Sequence, residues 1–293
     1  MSVRTRATCR SCGSSSLRFV LSLGNQYVSN FVEDPLEEYV KAPLELVLCD
    51  QTSGGCSLLQ LRHTVRPELM FKEYWYLSGV NEAMIAALRD VTNKAEQMVA
   101  LSQGDIVLDI GCNDGTLLRS YDAENLKLVG FEPAENLIPL AEVGTTKIIN
   151  DFFSFKLFEK HFPHDQAKII TSIAMFYDLE EPNEFVEDIV RCIHPEGMWV
   201  IQMNYLPSML QQNAFDNICH EHLEYYSMGA LRNLLERHGL EVFDAELNDV
   251  NGGSFRAYVK NKNSGFPKGR NGSQRRLKKI EDLERTLGLC RRE

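Results

Sequence analysis

Three groups of residues in this sequence have the types and spacing that chemistry needs. The first is a set of cysteines: Cys9 and Cys12 form a Cys-x-x-Cys turn, and Cys49 and Cys56 form a second pair with six residues between them. Two such pairs suit one tetrahedral zinc ion, since each short loop presents two thiolates to a common centre. Four thiolates leave no open position for water or substrate, so the expectation is a structural zinc. Four buried, unpaired thiols are the alternative. Residues 1 to 65 are broken by Gly13, Gly24, Gly54 and Gly55 and offer too little apolar surface for a core of their own, which favours the metal staple.

The second group is the turn Asp109-Ile-Gly-Cys-Asn-Asp-Gly115, which follows an apolar run. Gly111 and Gly115 let the backbone turn tightly and approach a ligand, and Asn113 lies between them. The third glycine of a dinucleotide fingerprint is absent, and Asp109 would repel a pyrophosphate. An ammonium group suits it better. Glu132, at the end of the next apolar run, can accept both hydroxyls of a ribose, and Asp151, after the third, can accept from an adenine amino group. An adenosine with an amino-acid tail and no phosphate is S-adenosylmethionine, which is the expected cofactor.

The third group is the block Cys219-His-Glu-His-Leu-Glu-Tyr-Tyr226. Histidines flanking a glutamate supply a proton acceptor poised near neutral pH and a carboxylate to fix its tautomer. A metal-binding role for His220 and His222 is less favoured, because the cysteines already account for one ion. Two further segments are dense in aromatic and polar residues, Tyr74-Trp-Tyr-Leu-Ser-Gly79 and Met175-Phe-Tyr-Asp178. The tyrosines of the first could equally be a packed junction. His161, His164, His194 and His238 sit beside expected turns and helix ends and suit capping or surface positions.

The elements that must position these groups follow from periodicity. From about residue 104, short apolar runs alternate with amphipathic segments, the pattern of βαβ units and a mainly parallel sheet. Strands are expected at Ile106 to Ile110, Lys127 to Phe131, Lys147 to Ile149, Lys168 to Met175, Met198 to Met203, Leu240 to Leu247 and Phe255 to Val259. Helices are expected at Gly115 to Tyr121 and Ala134 to Val143. Tyr74 to Gly79, Met175 to Asp178 and Cys219 to Tyr226 would then all lie at or near the carboxyl edge of the sheet. From Ser273, Leu277, Ile280, Leu283 and Leu287 repeat at helical spacing, so the end of the chain forms an amphipathic helix whose apolar stripe needs a partner.

The chain has 293 residues, 44% of them hydrophobic and 25% charged, with a net charge of −10. That length accommodates a full α/β domain with a smaller appended unit. The acidic balance argues against nucleic acid as the main partner. No apolar run approaches the ~18 residues of a membrane span, and Met1 to Arg10 lacks the apolar stretch of a secretory signal. A cytoplasmic location is expected, and thiols there stay reduced.

Taken in order, the cysteine-rich entry with Leu23-Gly24, the Tyr-Trp-Tyr-x-Ser-Gly segment, Asp109 to Gly115, the Cys-His-Glu-His block and Asn251-Gly-Gly-Ser-Phe-Arg256 resemble the S-adenosylmethionine-dependent sugar C-methyltransferases. The resemblance runs over almost the whole chain. It implies a class I methyltransferase, Rossmann-like α/β sheet with an amino-terminal zinc module (residues 1–70), a methyltransferase domain (71–262) and a helical tail (263–293), which either ends a short chain or starts a further domain. It implies C-methylation of a nucleotide-linked 4-keto-deoxysugar, a small-molecule substrate, through an enolate. By analogy His222 is the base, Glu221 its support or a substrate ligand, Tyr76 a substrate-site hydroxyl and His220 a second choice of base, while Tyr74 and Ser78 join the cofactor site. The chain departs from the family in having Cys219 where tyrosine is usual and Tyr177 where histidine is usual, and Tyr177 could supply the displaced hydroxyl. O- or N-methylation of another small molecule, or cofactor binding without catalysis, are the alternatives.

Overall fold

The computed structural model describes residues 3–28 and 39–289. The expected module and tail therefore extend, at 1–2, 29–38 and 290–293, outside the described residues. Near the amino terminus β1 (Val3–Thr5) pairs antiparallel with β5 (His63–Val65), while β2 (Leu17–Tyr27), β3 (Lys41–Cys49) and β4 (Leu59–Leu61) form an antiparallel meander. Its inward side chains, Leu44, Leu46, Leu59 and Leu61, pack with Leu206, Ile218 and Leu223 from the second half of the chain.

The larger sheet comprises β6 (Ile106–Ile110), β7 (Lys127–Phe131), β8 (Lys147–Ile149), β9 (Ala167–Ile173) and β10 (Ile193–Asn204). A two-residue strand, β11 (Glu224–Tyr225), comes next in the chain but pairs antiparallel with β4 in the other sheet. The large sheet is completed by β12 (Leu240–Asn248) and β13 (Ser254–Asn261), in the spatial order β12-β13-β10-β9-β6-β7-β8. β13 runs antiparallel to both neighbours, and the pairings from β8 to β10 are parallel. The expected strands are all present, some longer by a few residues at their ends, while the one expected to reach Met175 stops at Ile173, where Ala174 turns to φ 53°.

β6 is buried along its whole length, as a central parallel strand must be when helices cover both faces. Its alternation splits it between two cores: Ile106, Leu108 and Ile110 face one, and Val107 faces the other. Each fully buried aliphatic side chain contributes roughly 1.5–3 kcal/mol relative to exposure. The second core is closed by the helix Glu82–Glu96, which begins where the Asn81 side chain accepts from the amides of Ala83 and Met84 and buries Leu88, Val91 and Ala95.

Two expected helices are shorter than their patterns suggest. Residues 115 to 121 hold only the 3₁₀ turn Leu118–Ser120, and the Ser120 hydroxyl donates to Thr116 O at 2.7 Å, competing for a carbonyl that a longer helix would use. Residues 134 to 143 become a 3₁₀ turn, Glu135–Leu137, and a single helical turn, Ile138–Ala141, with Pro139 removing one donor. The Arg119 guanidinium spans both segments, bonding the carbonyls of Asp114, Leu140 and Val143 at 2.7, 3.3 and 3.0 Å.

The terminal stripe finds its partner within the same body. The helix Ser273–Thr286 lies on β12 and on the helix Met228–Arg237, with Leu277 and Ile280 buried and Leu283 against the main core. Its Glu284 is 1% exposed, and its carboxylate accepts from the amides of Met228 and Gly229 at the start of that helix and from the Tyr205 hydroxyl at 2.8 Å. The tail is thus an integral layer. The same holds at the other end, because β11 joins the amino-terminal sheet to the chain that follows β10.

Candidate active site

A cleft of about 720 Å³ opens at the carboxyl ends of β6, β7 and β9, within the ordinary range of ligand pockets. The chain leaves β6 toward β7 and β8 on one side and returns to β9 on the other, so the cleft lies at the switch in strand order where open α/β sheets bind ligands.

At one end stand Asp109, Gly111, Asn113, Glu132 and Asp151. Asp109 is buried, accepts from the Thr171 hydroxyl at 2.6 Å, and has its pKa pushed up by burial to about 7. Gly111 and Gly115 have φ of 72° and 78°. The turn they permit carries Asn113 in the left-handed region as well, at φ 52°. Glu132 is nine-tenths buried, which raises its pKa, and its two oxygens accept from Asn113 N at 2.7 Å and Ala134 N at 2.9 Å. Each oxygen keeps a second lone pair for a ligand hydroxyl. Asp151 is exposed, with one oxygen turned back to Phe152 N at 2.8 Å. Gly115 stands outside the cleft wall, where an added Cβ would meet Ala141 O at 3.0 Å.

The segment 74–79 is stitched over this turn by its backbone. Ser78 N donates to Asn113 Oδ1 at 2.9 Å, Asn113 Nδ2 to Tyr76 O at 2.9 Å, and Gly79 N to Asp114 Oδ2 at 2.6 Å. Asn136 brackets Tyr74, accepting from its N–H at 3.0 Å and donating to its carbonyl at 2.8 Å. Tyr74, Tyr76 and Ser78 consequently line the cleft.

At the other end are Tyr177 and His222. The Tyr177 ring meets the His222 ring edge-on, with centroids 4.4 Å apart. His222 Nδ1 lies 2.8 Å from Asn217 O, a backbone acceptor that needs a proton on that nitrogen. Burial lowers the His222 pKa, so the ring is neutral at pH 7 and Nε2 carries its lone pair. Glu221 and Cys219 are not on the cleft wall but lie beside His222, their donor atoms and a His222 ring nitrogen within 4.8 Å of one another, and burial raises the pKa of both, that of Cys219 to about 12. His220 turns the opposite way: it is 2% exposed, with Nε2 3.0 Å from Ala42 O in the amino-terminal sheet. The expected second choice of base is thus held against β3, outside the cleft wall.

Sequence reasoning named Met175-Phe-Tyr-Asp178 but assigned no role to Asp178, whose Oδ1 is buried without a partner, nor to Asn217, which orients His222. It also omitted Phe152, Gln202 and Asn204 from the cleft. Position at the carboxyl end of a strand was the available signal for Asp178, Phe152 and Asn204, whereas Asn217 is linked to His222 by a backbone carbonyl, which leaves no mark in residue type.

The four cysteines of the amino-terminal region do come together. Their sulfurs all lie within 4.8 Å of one another, with Cys9 to Cys56 at 3.5 Å and Cys12 to Cys49 at 3.4 Å. Tetrahedral ligands ~2.3 Å from zinc stand a little under 4 Å apart, so the donor set and its spacing fit that ion. The wide second pair closes because Gly54 adopts φ 81° and Gly55 has no side chain, where a Cβ would lie 2.6 Å from Cys49 Sγ. Gln60 Nε2 donates to Cys9 Sγ at 3.2 Å. No helix among the described residues is long and apolar enough to cross a membrane.

Residues 80–245 match the family model described as "Methyltransferase domain", and residues 9–71 match one described as "Putative zinc binding domain". The chain is 30% identical over 256 residues to the C-methyltransferase NovU of Streptomyces niveus, covering 86% of this chain and 60% of that protein. It therefore spans about 60% of the length of that curated relative. Among solved structures, the PH0226 protein of Pyrococcus horikoshii OT3 aligns over 64% of this chain and 95% of its own at 13% identity and a TM-score of 0.49. The N-methyltransferase NodS of Bradyrhizobium japonicum WM9 aligns over 62% and 98% at 13% identity and a TM-score of 0.46. With its parallel sheet, antiparallel β13 and cleft at the strand switch, the chain has the class I methyltransferase fold and belongs to the methyltransferase-domain family.

Proposed function

We propose that this protein is an S-adenosylmethionine-dependent C-methyltransferase acting beside the ketone of a nucleotide-linked 4-keto-deoxysugar, with His222 as the base. The observation that carries this reading is the fixed tautomer of His222: on the cleft wall, with Nδ1 held by Asn217 O at 2.8 Å, the ring offers Nε2 to a proton. A methyl acceptor that is already a hydroxyl or amine has less need of such a base; a carbon acid requires one. The name of the Streptomyces niveus relative, a C-methyltransferase, supports carbon as the acceptor.

In this reading Asp109 meets the ammonium group of the cofactor, Glu132 the ribose hydroxyls and Asp151 the adenine amino group. Gly111, Asn113 and Gly115 shape the turn, and Tyr74 and Ser78 close it from above. S-adenosylmethionine, when bound, supplies a methyl group on a positively charged sulfur. His222 Nε2 takes the proton from the carbon beside the ketone, and the C–H electron pair moves onto the carbonyl oxygen. Tyr177 and Tyr76 supply hydroxyl donors for that developing oxyanion. Glu221, next to His222, favours the imidazolium formed by the transfer. The enolate carbon then bonds to the methyl group, and the pair of the broken C–S bond stays on sulfur. Cys9, Cys12, Cys49 and Cys56 hold a structural zinc remote from these steps, and the reaction takes place in the cytoplasm.

Calorimetry tests the cofactor half. S-adenosylmethionine and its demethylated product should both bind with one site per chain, and a protein with affinity for neither is not this enzyme.

A further inference from the structure

Cys219, Glu221 and His222 present a sulfur, a carboxylate oxygen and a ring nitrogen that all lie within 4.8 Å of one another. The four zinc-module cysteines meet the same limit. The local turn is repeated as well. In Cys9-Arg-Ser-Cys12 the backbone N–H groups of Ser11 and Cys12 turn toward Cys9 Sγ, and in Cys219-His-Glu-His222 those of Glu221 and His222 turn toward Cys219 Sγ. Both are Cys-x-x-ligand turns, the arrangement that brings two donors from one short loop onto one ion.

Positive charge reaches the surroundings through Arg10, which acts on Glu224. Among the described residues, none of Asp178, Glu221 or Glu224 forms an ion pair with lysine or arginine, although Asp178 faces both glutamates. Asp178 Oδ1 is buried without a hydrogen-bond partner, on the segment that faces Cys219 and Glu221. Buried carboxylates are normally paired or bound to a cation, so an unsatisfied oxygen beside three converging ligands is a second, separate indication. We infer that Cys219, Glu221 and His222 form a binding site for a divalent cation of the zinc class, with Asp178 beside its remaining position. Sulfur, nitrogen and a single carboxylate select zinc or cobalt over magnesium or calcium, which take oxygen ligands.

The site has a consequence for the reaction proposed above, on which this part rests. Asn217 O engages Nδ1, and so one lone pair of His222 serves either the substrate proton or the metal. Cation binding and base catalysis exclude each other, making the metal an inhibitor of turnover.

Cobalt(II) reports on the site without any turnover, so the test separates the metal site from the methylation reading. Full-length protein with its amino-terminal cysteines already loaded with zinc is titrated with cobalt(II), and the near-ultraviolet sulfur-to-cobalt band is followed. One equivalent should generate the band; Cys219→Ser should abolish it, and Glu221→Gln should weaken cobalt affinity at least tenfold, with circular dichroism showing that both variants are folded. Chelation should remove the band while the amino-terminal zinc stays bound. No band in wild-type protein, or a band retained in folded Cys219→Ser, overturns the site. Should Cys219→Ser fail to fold, Glu221→Gln decides: unchanged cobalt affinity also overturns it.

Discussion

Arg10, inside the Cys9–Cys12 turn, donates through Nε to Glu180 Oε2 at 3.1 Å, joining the cysteine cluster to the segment that carries Tyr177 and Asp178. Its side chain is fully buried and also donates to Gln60 Oε1 and Thr64 Oγ1, while Arg6 reaches Glu180 and Glu181 at 2.9 and 2.7 Å. A metal staple and a cleft wall are thereby one mechanical unit. Arg10→Met should cost about 3 kcal/mol, since Gln60 Oε1, Leu61 O and Thr64 Oγ1 lose a charged donor in a buried place while Glu180 keeps Arg6. Thermal unfolding measures the loss, and removal of zinc by a chelator should lower the melting temperature and weaken activity together.

Glu132 should govern cofactor affinity. Its oxygens pin two amides of the turn and retain lone pairs for the ribose. Glu132→Ala should weaken S-adenosylmethionine binding about 10- to 100-fold, the loss of one or two hydrogen bonds to a charged acceptor. Glu132→Gln, which keeps one acceptor, should lose less. Calorimetric titration of the two variants ranks them.

Glu284 should matter for stability and not for chemistry. Its buried carboxylate caps the helix Met228–Arg237 and accepts from Tyr205. Glu284→Ala leaves two helix amides and one hydroxyl without that acceptor and should cost about 3 kcal/mol. Denaturant unfolding checks the magnitude, with cofactor affinity unchanged at temperatures where the variant is folded.

The pH profile follows from His222. Burial is the larger influence and lowers its pKa below the ordinary ~6.5, against the opposing contact with Asn217 O. Between the folded and unfolded values the unfolded chain holds more protons, so stability from this group is full above about pH 6.5 and falls as pH drops through the folded value. The neutral ring is also the active base. The acid limb of kcat/KM should accordingly lie below pH 6.5 and disappear from the residual activity of His222→Asn.

How far these features could be read beforehand depends on their range in the chain. β6, β7 and β8 carry local apolar runs ending in Asp109, Glu132 and a residue near Asp151, so the strands and the carboxylates that line the cleft were legible together. The cysteine spacing was legible for the same reason. The pairing of Glu224–Tyr225 with β4 was not, because two residues have no periodicity and the partner is far away in sequence. That pairing sends His220 to Ala42 O and His222 to the cleft, a difference that composition alone leaves open. The terminal stripe was read correctly as amphipathic, but its partner is a tertiary fact: β12 and Met228–Arg237 supply the surface.

Solvent exchange tests the base directly. The protein is incubated in deuterated water with a nucleotide-linked 4-keto-deoxysugar and the demethylated cofactor product, so that an enolate can only be reprotonated, and proton NMR follows the carbon beside the ketone. Wild-type protein should exchange that proton for deuterium, and His222→Asn should reduce the rate at least a hundredfold, at the low end of the contribution of a general base. Methyl transfer to the same sugar with no exchange at that carbon, or exchange unchanged in His222→Asn, would contradict the account.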